Sequence, residues 1–365
     1  MKELEKLVNG KRSVIISGNT FTNKTSSVCF PIVDNIIDKD ESLFIVDVNN
    51  EYYNKFKNKL DEKGYRVFNI DFSNPFLGDN YNPYDIVYNL YHNNEVDKAL
   101  NTLDYVNNNI FYTKDAVDPF WDMSAANIAS AAALILIKYY DKEYLNINNI
   151  ANIVSTIDSN KDANFFNKYY NDDEIMGYAK QVLFAPIETK GGILSVARQK
   201  LRLYASRVAL SNLMSRSSVD LTKLDKTAII VTIPNQFTYM SSLTNILLNQ
   251  VISNKNDIKM NYILDNFDYL SYEKQLGSLL GNTDKLNKFY IVTRSISRLK
   301  GISSEYLDTL ATIVKVKEYN LEINYSDEEL VVLDKEIIDE DIEKVEKICR
   351  LEDIKPYILD ISKEV

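Results

Sequence analysis

The sequence predicts an α/β protein whose parallel sheet is built from two separated stretches of chain, with an all-helical lobe between them. Three observations predict it. Short apolar runs alternate with helical spacing over the first 85 residues, the strand signal then disappears from about 95 to 214, and strand–helix alternation returns beyond that point. In order, a strand at 13–17 leads into a helix over about 24–38. A buried strand Leu43-Phe44-Ile45-Val46 ends at Asp47, a helix over about 50–63 stops at Gly64, and Tyr65–Ile70 gives a third strand. Such β-α-β-α-β order implies parallel pairing with helices on the sheet faces.

The middle block has helical spacing throughout, with helices expected at Trp121–Lys138, 147–157, 161–170, 173–184 and 193–213. After it, Ala228–Ile233, Asn261–Leu264, Phe289–Thr293 and Thr312–Val316 read as strands, with helices over Ser241–Ser253 and about 271–280. The domain reading is therefore a first sheet half at 1–94, the helical domain at 95–214 and a second sheet half at 215–320. An acidic segment, 321–365, is expected to dock on the core. In that segment Ile338, Ile342 and Val345 give an otherwise charged helix a short apolar face.

Composition narrows the chemistry. With 45% apolar and 26% charged residues, the 365-residue chain has an ordinary globular make-up. Its longest near-continuous apolar run, Ile128 to Ile137, is shorter than the roughly 20 residues a membrane span needs, so no spanning segment is expected. Met1-Lys2-Glu3-Leu4 opens no signal-peptide apolar region. The single histidine, His92, and the two distant cysteines, Cys29 and Cys349, disfavour His-based triads and Cys/His metal sites.

The strand Val14-Ile15-Ile16-Ser17 runs into Gly18-Asn19-Thr20-Phe21-Thr22-Asn23-Lys24-Thr25. Gly18, Lys24 and Thr25 fall on the phosphate-loop pattern G-x-x-x-x-G-K-[ST], and only Asn23 departs from it. In such a loop backbone N–H groups wrap phosphates at a helix N-terminus. The nucleotide-binding set is Gly18, Asn19, Thr20, Asn23, Lys24, Thr25 and Ser26. Lys24 would reach the terminal phosphates, and the Thr25 hydroxyl would ligate Mg²⁺.

Open α/β sheets bind ligands beyond the carboxyl ends of their strands, where Ser17-Gly18, Asp47 and Asp265 are expected. Tyr262-Ile263-Leu264-Asp265 is an apolar strand ending in an acid, so Asp265 is a second Mg²⁺ candidate opposite Thr25. The next residue is Asn266, where an active ATPase of this kind carries a glutamate to orient water. Asparagine cannot act as a general base. Asp268, Arg294 and Arg298 are the remaining catalytic candidates. Tyrosine doublets at 52–53, 139–140 and 169–170 read as half-buried helix residues.

Charge is unevenly placed. The net charge of −10 resides in residues 318–365, whereas 189–219 contains no acid and carries Lys190, Arg198, Lys200, Arg202, Arg207 and Arg216. The simplest reading of that stretch is a solvated helix face. The functional readings are DNA phosphate contacts or an arginine finger, with Arg198, Lys200, Arg202, Arg207 and Arg216 as candidates.

Together these residues resemble the soluble part of TraG/TraD-type coupling proteins of conjugative type IV secretion. The resemblance rests on Gly18–Ser27 with Pro31, on Asp47-Val48-Asn49-Asn50-Glu51-Tyr52 against the family's D-P-K-G-E run, and on Gly64-Tyr65-Arg66-Val67. It continues through Asn82-Pro83, Asp118-Pro119-Phe120-Trp121, Ile263-Leu264-Asp265 and Arg294–Leu299, over roughly residues 12–317. It implies a RecA-like P-loop NTPase core with an inserted all-alpha domain, ATP and Mg²⁺ as cofactors, and assembly as a homo-oligomer. It also implies partners among type IV secretion or relaxosome proteins, with DNA meeting the 189–219 stretch.

Family members usually carry membrane-spanning helices before the loop, and 17 residues precede Gly18 here. The implied location is cytoplasmic, peripheral to the inner face of the membrane through a partner. The family pattern also has glycine at 23 and 50, lysine at 49, an acid at 266 and glutamines at 294 and 298. These departures imply a weak nucleotide binder or pseudo-ATPase serving as an accessory or adaptor. The alternative is an active, DNA-stimulated hexameric motor.

Overall fold

The structure, a computed structural model, describes residues 2–19, 22–48, 50–113, 116–157, 165–234, 238–254, 257–270, 276–281, 286–299, 311–316, 320–324 and 330–334. The described residues of 1–73 and 220–347 make one compact unit and those of 74–219 another. The helical unit thus begins at 74 and ends at 219, rather than at the expected 95 and 214.

The first unit holds β1 (Ser13–Ser17), β2 (Ser42–Asp47), β3 (Arg66–Asp71), β4 (Thr227–Thr232), β5 (Met260–Leu264), β6 (Asn287–Thr293), β7 (Ala311–Val316), β8 (Asn320–Asn324) and β9 (Leu330–Asp334). They form one sheet in the order β3-β4-β2-β5-β6-β1-β7-β8-β9. From β3 across to β7 every pair is parallel, as the alternating pattern predicts. Its central strands are buried along their whole length, which explains their continuous apolar runs. β8 and β9 pair antiparallel beyond β7. The start of the expected acidic docking segment therefore extends the sheet, and the helix expected around Ile338–Val345 lies outside the described residues.

Against one face pack α1 (Lys2–Asn9), α2 (Phe30–Asp38) and α3 (Glu51–Glu62). Leu7, Ile32, Val33, Ile36, Tyr52, Phe56 and Leu60 from these helices join Val14, Ile16, Ile45 and Ile263 of the strands in one core. The helix expected from 24 opens with a π-helical turn over Thr25–Cys29, where the Phe30 N–H reaches the Thr25 carbonyl. Pro31, lacking an N–H, sits in the first turn of α2, where none is needed. Nothing in the sequence reading anticipated α1. Its C-terminal carbonyls at Leu7 and Val8, with that of Gly10, accept from the buried Lys288 ammonium.

The second unit contains α4 (Asp85–His92), α5 (Val96–Phe111), α6 (Phe120–Tyr139), α7 (Ile147–Ser155), α8 (Asp173–Leu183), α9 (Ile187–Ala205) and α10 (Val208–Leu213). The single helix expected over 193–213 is two helices, α9 and α10. The one expected over 161–170 is a 3₁₀ segment, Phe165–Tyr169, among the described residues. His92 stands in the last turn of α4, its Nε2 2.9 Å from the Ile137 carbonyl.

At the centre of this unit lies α6, with α5, α7, α8 and α9 packed around it. Its alanine-rich middle is buried on all sides. The 20-residue helix is long and apolar enough to cross a membrane, but 72% of its apolar window is buried inside the protein. Trp121 packs against α9 at Gly192, where a Cβ would come within 2.6 Å of its ring. Beyond the helical unit, α11 (Thr238–Asn254) and α12 (Leu276–Gly281) belong to the first.

Candidate nucleotide site

Sheet register brings the candidate residues to one edge. β1 and β5 are separated by a single strand, β6, with Ser17 opposite Thr293 and Leu264 opposite Ile291. Val46 of β2 pairs with Leu264 of β5, so Asp47 and Asp265 follow side by side at the carboxyl ends.

The loop begins with a close approach. A Cβ at Gly18 would stand 2.6 Å from the Val316 carbonyl oxygen and 2.7 Å from Thr22 Oγ1, so only glycine fits. Asn23, in place of the pattern's second glycine, takes the left-handed conformation at φ 50° and is exposed. Asparagine visits that region more readily than other side chains, which lets the loop keep its path. Asn50, at the other position where the family pattern has glycine, is also left-handed, at φ 60°. The Asn19 carbonyl accepts from the Thr22 hydroxyl at 2.8 Å and from Lys24 Nζ at 2.9 Å. Ser26 and Ser27 both donate back to the Asn23 carbonyl. Thr20, Phe21 and Asn49 lie outside the described residues.

Thr25 and Asp265 meet directly: the threonine hydroxyl donates to Asp265 Oδ2 at 2.8 Å across 240 positions of chain. The same oxygen accepts from the Tyr52 hydroxyl at 2.8 Å, and Oδ1 accepts from the Asn266 N–H at 2.7 Å. Asp265 is only 3% exposed. Burial pushes its pKa up, against the Thr25, Tyr52 and Asn266 donors and the Lys24 charge. For Lys24 the order is similar, since burial holds its ammonium below the ordinary lysine range against the attraction of Asp265. Arg294 adds repulsion, placing a second positive charge within reach of Lys24. Burial also keeps the Tyr52 phenol and the neighbouring Cys29 thiol protonated.

These residues fit a Mg²⁺–phosphate group. A threonine hydroxyl whose proton is already directed at a carboxylate presents its lone pairs outward. Asp265 keeps acceptor capacity on Oδ1, and Lys24 stands beside the loop. When bound, such a cation neutralises phosphate charge.

The remaining candidates have other partners. Asp47 accepts from the N–H groups of Glu51 and Tyr52 at 3.0 and 2.9 Å, so it caps α3. Asp268 accepts from the Thr293 hydroxyl at 2.7 Å and the Arg294 N–H at 3.1 Å, which ties it to the end of β6. Arg298 is exposed in a short 3₁₀ turn after β6.

In the helical unit Arg198 donates to the Ile157 carbonyl at 2.5 Å, and Lys200 donates to the Tyr112 carbonyl and to Thr113 Oγ1 at 2.7 Å. Arg207, in the break between α9 and α10, donates to the Leu203 carbonyl at the end of α9. Arg202 and Arg216 are exposed, and their side chains make no hydrogen bond or ion pair among the described residues.

Residues 6–306 match the family model for the type IV secretory system conjugative DNA transfer proteins. The chain belongs to that family. No curated protein matches it in sequence. In structure this family member is similar to the bacterial conjugative coupling protein TrwBdeltaN70. The trigonal form of that protein, in complex with sulphate, superposes at TM-score 0.58 and 12% identity over 89% of this chain and 78% of that one. The unbound monoclinic form gives 0.59 and 12% over 88% and 76%. VirB4 of Thermoanaerobacter pseudethanolicus gives 0.57 and 9% over 89% of each chain. The fold is thus the P-loop NTPase core with an inserted helical unit that the sequence resemblance implied.

Tyr52 is the site residue that sequence reasoning missed. It read as half of a tyrosine doublet on a helix, whereas it is buried with its hydroxyl on Asp265. The available signal was its place as the second residue of a helix that starts at a sheet's carboxyl edge.

Proposed function

We propose that this protein is a coupling-protein-like subunit of conjugative DNA transfer that binds a magnesium–nucleotide and hydrolyses it poorly, acting as an accessory or adaptor. The observation that carries the reading is the 2.8 Å bond between Thr25 and Asp265, which keeps the metal-binding pair together. Beside it the water-activating position is Asn266. Asp268, the nearest alternative acid in sequence, has both carboxylate oxygens engaged at β6. Lys24 would hold phosphates, and Thr25 and Asp265 the Mg²⁺. Partners would be other secretion or relaxosome proteins, with DNA phosphates meeting Arg202, Arg207 and Arg216.

The test is calorimetric titration of Mg-ATP into the wild type and Lys24→Ala. Binding that Lys24→Ala abolishes is the expected result; no heat from the wild type at millimolar nucleotide would overturn it. A second reading, the active DNA-stimulated motor, is favoured by the left-handed geometry that both Asn23 and Asn50 supply without glycine. DNA-stimulated turnover by the wild type, accompanied by ring assembly, would select that reading.

A further inference from the structure

We propose that Tyr52 is a positioning residue for the metal: its hydroxyl locks the Asp265 carboxylate in the orientation that serves Mg²⁺. The inference rests on the nucleotide-binding reading above and names a residue which that reading does not use.

The geometry is a relay between two neighbouring strand ends through the start of one helix. Asp47, ending β2, accepts from the first N–H groups of α3 and so sets where that helix begins. That start places Tyr52 one residue into the helix and 1% exposed. Its ring is held edge-on by Phe30, with centroids 5.2 Å apart at 82°. A ring so clamped has little rotamer freedom, and its hydroxyl meets Asp265 Oδ2 at 2.8 Å.

Oδ2 then carries two donors, Tyr52 and Thr25, while Oδ1 carries one, the Asn266 N–H. Three donors fix the carboxylate plane, and the acceptor capacity left over is on Oδ1. Hydrogen bonds that orient a metal-binding carboxylate typically change metal affinity 10–100-fold when removed. Phenylalanine at 52 would keep the ring packing and delete the hydroxyl, and with it both the bond to Asp265 and the contact with the buried Cys29 thiol.

The experiment is ATP titration by calorimetry in Mg²⁺ and in EDTA, on wild type, Tyr52→Phe, Asp265→Asn and the double variant. Tyr52→Phe is expected to reduce the gain in affinity that Mg²⁺ confers about tenfold, with affinity in EDTA unchanged. In the Asp265→Asn background it should cause no further loss, because Tyr52 acts through that carboxylate. An unchanged or enlarged magnesium gain in Tyr52→Phe overturns the assignment. So does an equal loss in Mg²⁺ and EDTA, which would make Tyr52 merely structural. A wild type that binds no ATP in either buffer overturns the underlying nucleotide reading instead, so the two failures are distinguishable.

Discussion

The proposed metal side and the proposed water side of the candidate nucleotide edge depart from the family pattern in different ways. On the metal side the two residues that stand where the pattern has glycine, Asn23 and Asn50, adopt the left-handed backbone that glycine would supply. Thr25 and Tyr52 there both donate to Asp265 Oδ2, each at 2.8 Å. On the water side Asn266 also sits in the left-handed region, at φ 52°, yet its amide has no basic lone pair to accept a proton. Asparagine can thus replace glycine, where only backbone conformation is asked of the residue, far better than it can replace an acid. Counting departures from a motif therefore overstates the damage on the metal side.

The largest effect should come from restoring the missing acid. Asn266→Glu should raise ATP hydrolysis by about 10²-fold, the lower end of what a placed general base contributes. Some strain opposes it, since glutamate tolerates the left-handed conformation less well than asparagine. Turnover measured with saturating Mg-ATP decides the matter. If Asn266→Glu binds Mg-ATP like the wild type but turns over no faster, the water side is not what limits hydrolysis and the contrast between the two corners fails.

A smaller effect is expected at the loop's first residue. Gly18→Ala would place a methyl 2.6 Å from the Val316 carbonyl, which is held in the sheet and cannot swing away. Either β7 shifts or the loop lifts, at a cost of about 2 kcal/mol. Urea unfolding should show that loss, with weakened Mg-ATP binding alongside it. Unaltered stability would mean the loop is not buttressed by β7, and the metal side would be less ordered than its bonds indicate.

Legibility of these features follows how local their causes are. The phosphate loop could be read because Gly18, Lys24 and Thr25 are contiguous with their strand, and Asp265 because an apolar run ends at it. Tyr52 carried only the weak signal of its place at a helix start, since its contact with Asp265 depends on the register of Val46 with Leu264 and on where the Asp47 cap starts α3. β8 was a missed opportunity. Asn320-Leu321-Glu322-Ile323-Asn324 alternates polar and apolar residues with period two, but its acidic surroundings drew the reading toward a docking segment. Arg198 and Lys200 looked like free cations because nothing in the sequence says that the Ile157 and Tyr112 carbonyls lie beside them.

The smallest effect separates two roles for Asp268. Its carboxylate takes one bond from the Thr293 hydroxyl and one from the Arg294 N–H. In Asp268→Asn the amide oxygen can keep the Arg294 bond while the amide nitrogen donates to Thr293. The threonine hydroxyl then turns its proton to the Ser295 carbonyl, already 3.0 Å away. The exchange should therefore cost less than about 1 kcal/mol in unfolding experiments and leave residual hydrolysis unchanged. A general base at 268 would behave otherwise, because the same exchange would remove about 10²-fold of whatever rate remains. Asp268→Ala, which loses both bonds and cannot relay them, should be the less stable of the two variants. The two together therefore distinguish a clamp on β6 from a displaced catalytic acid.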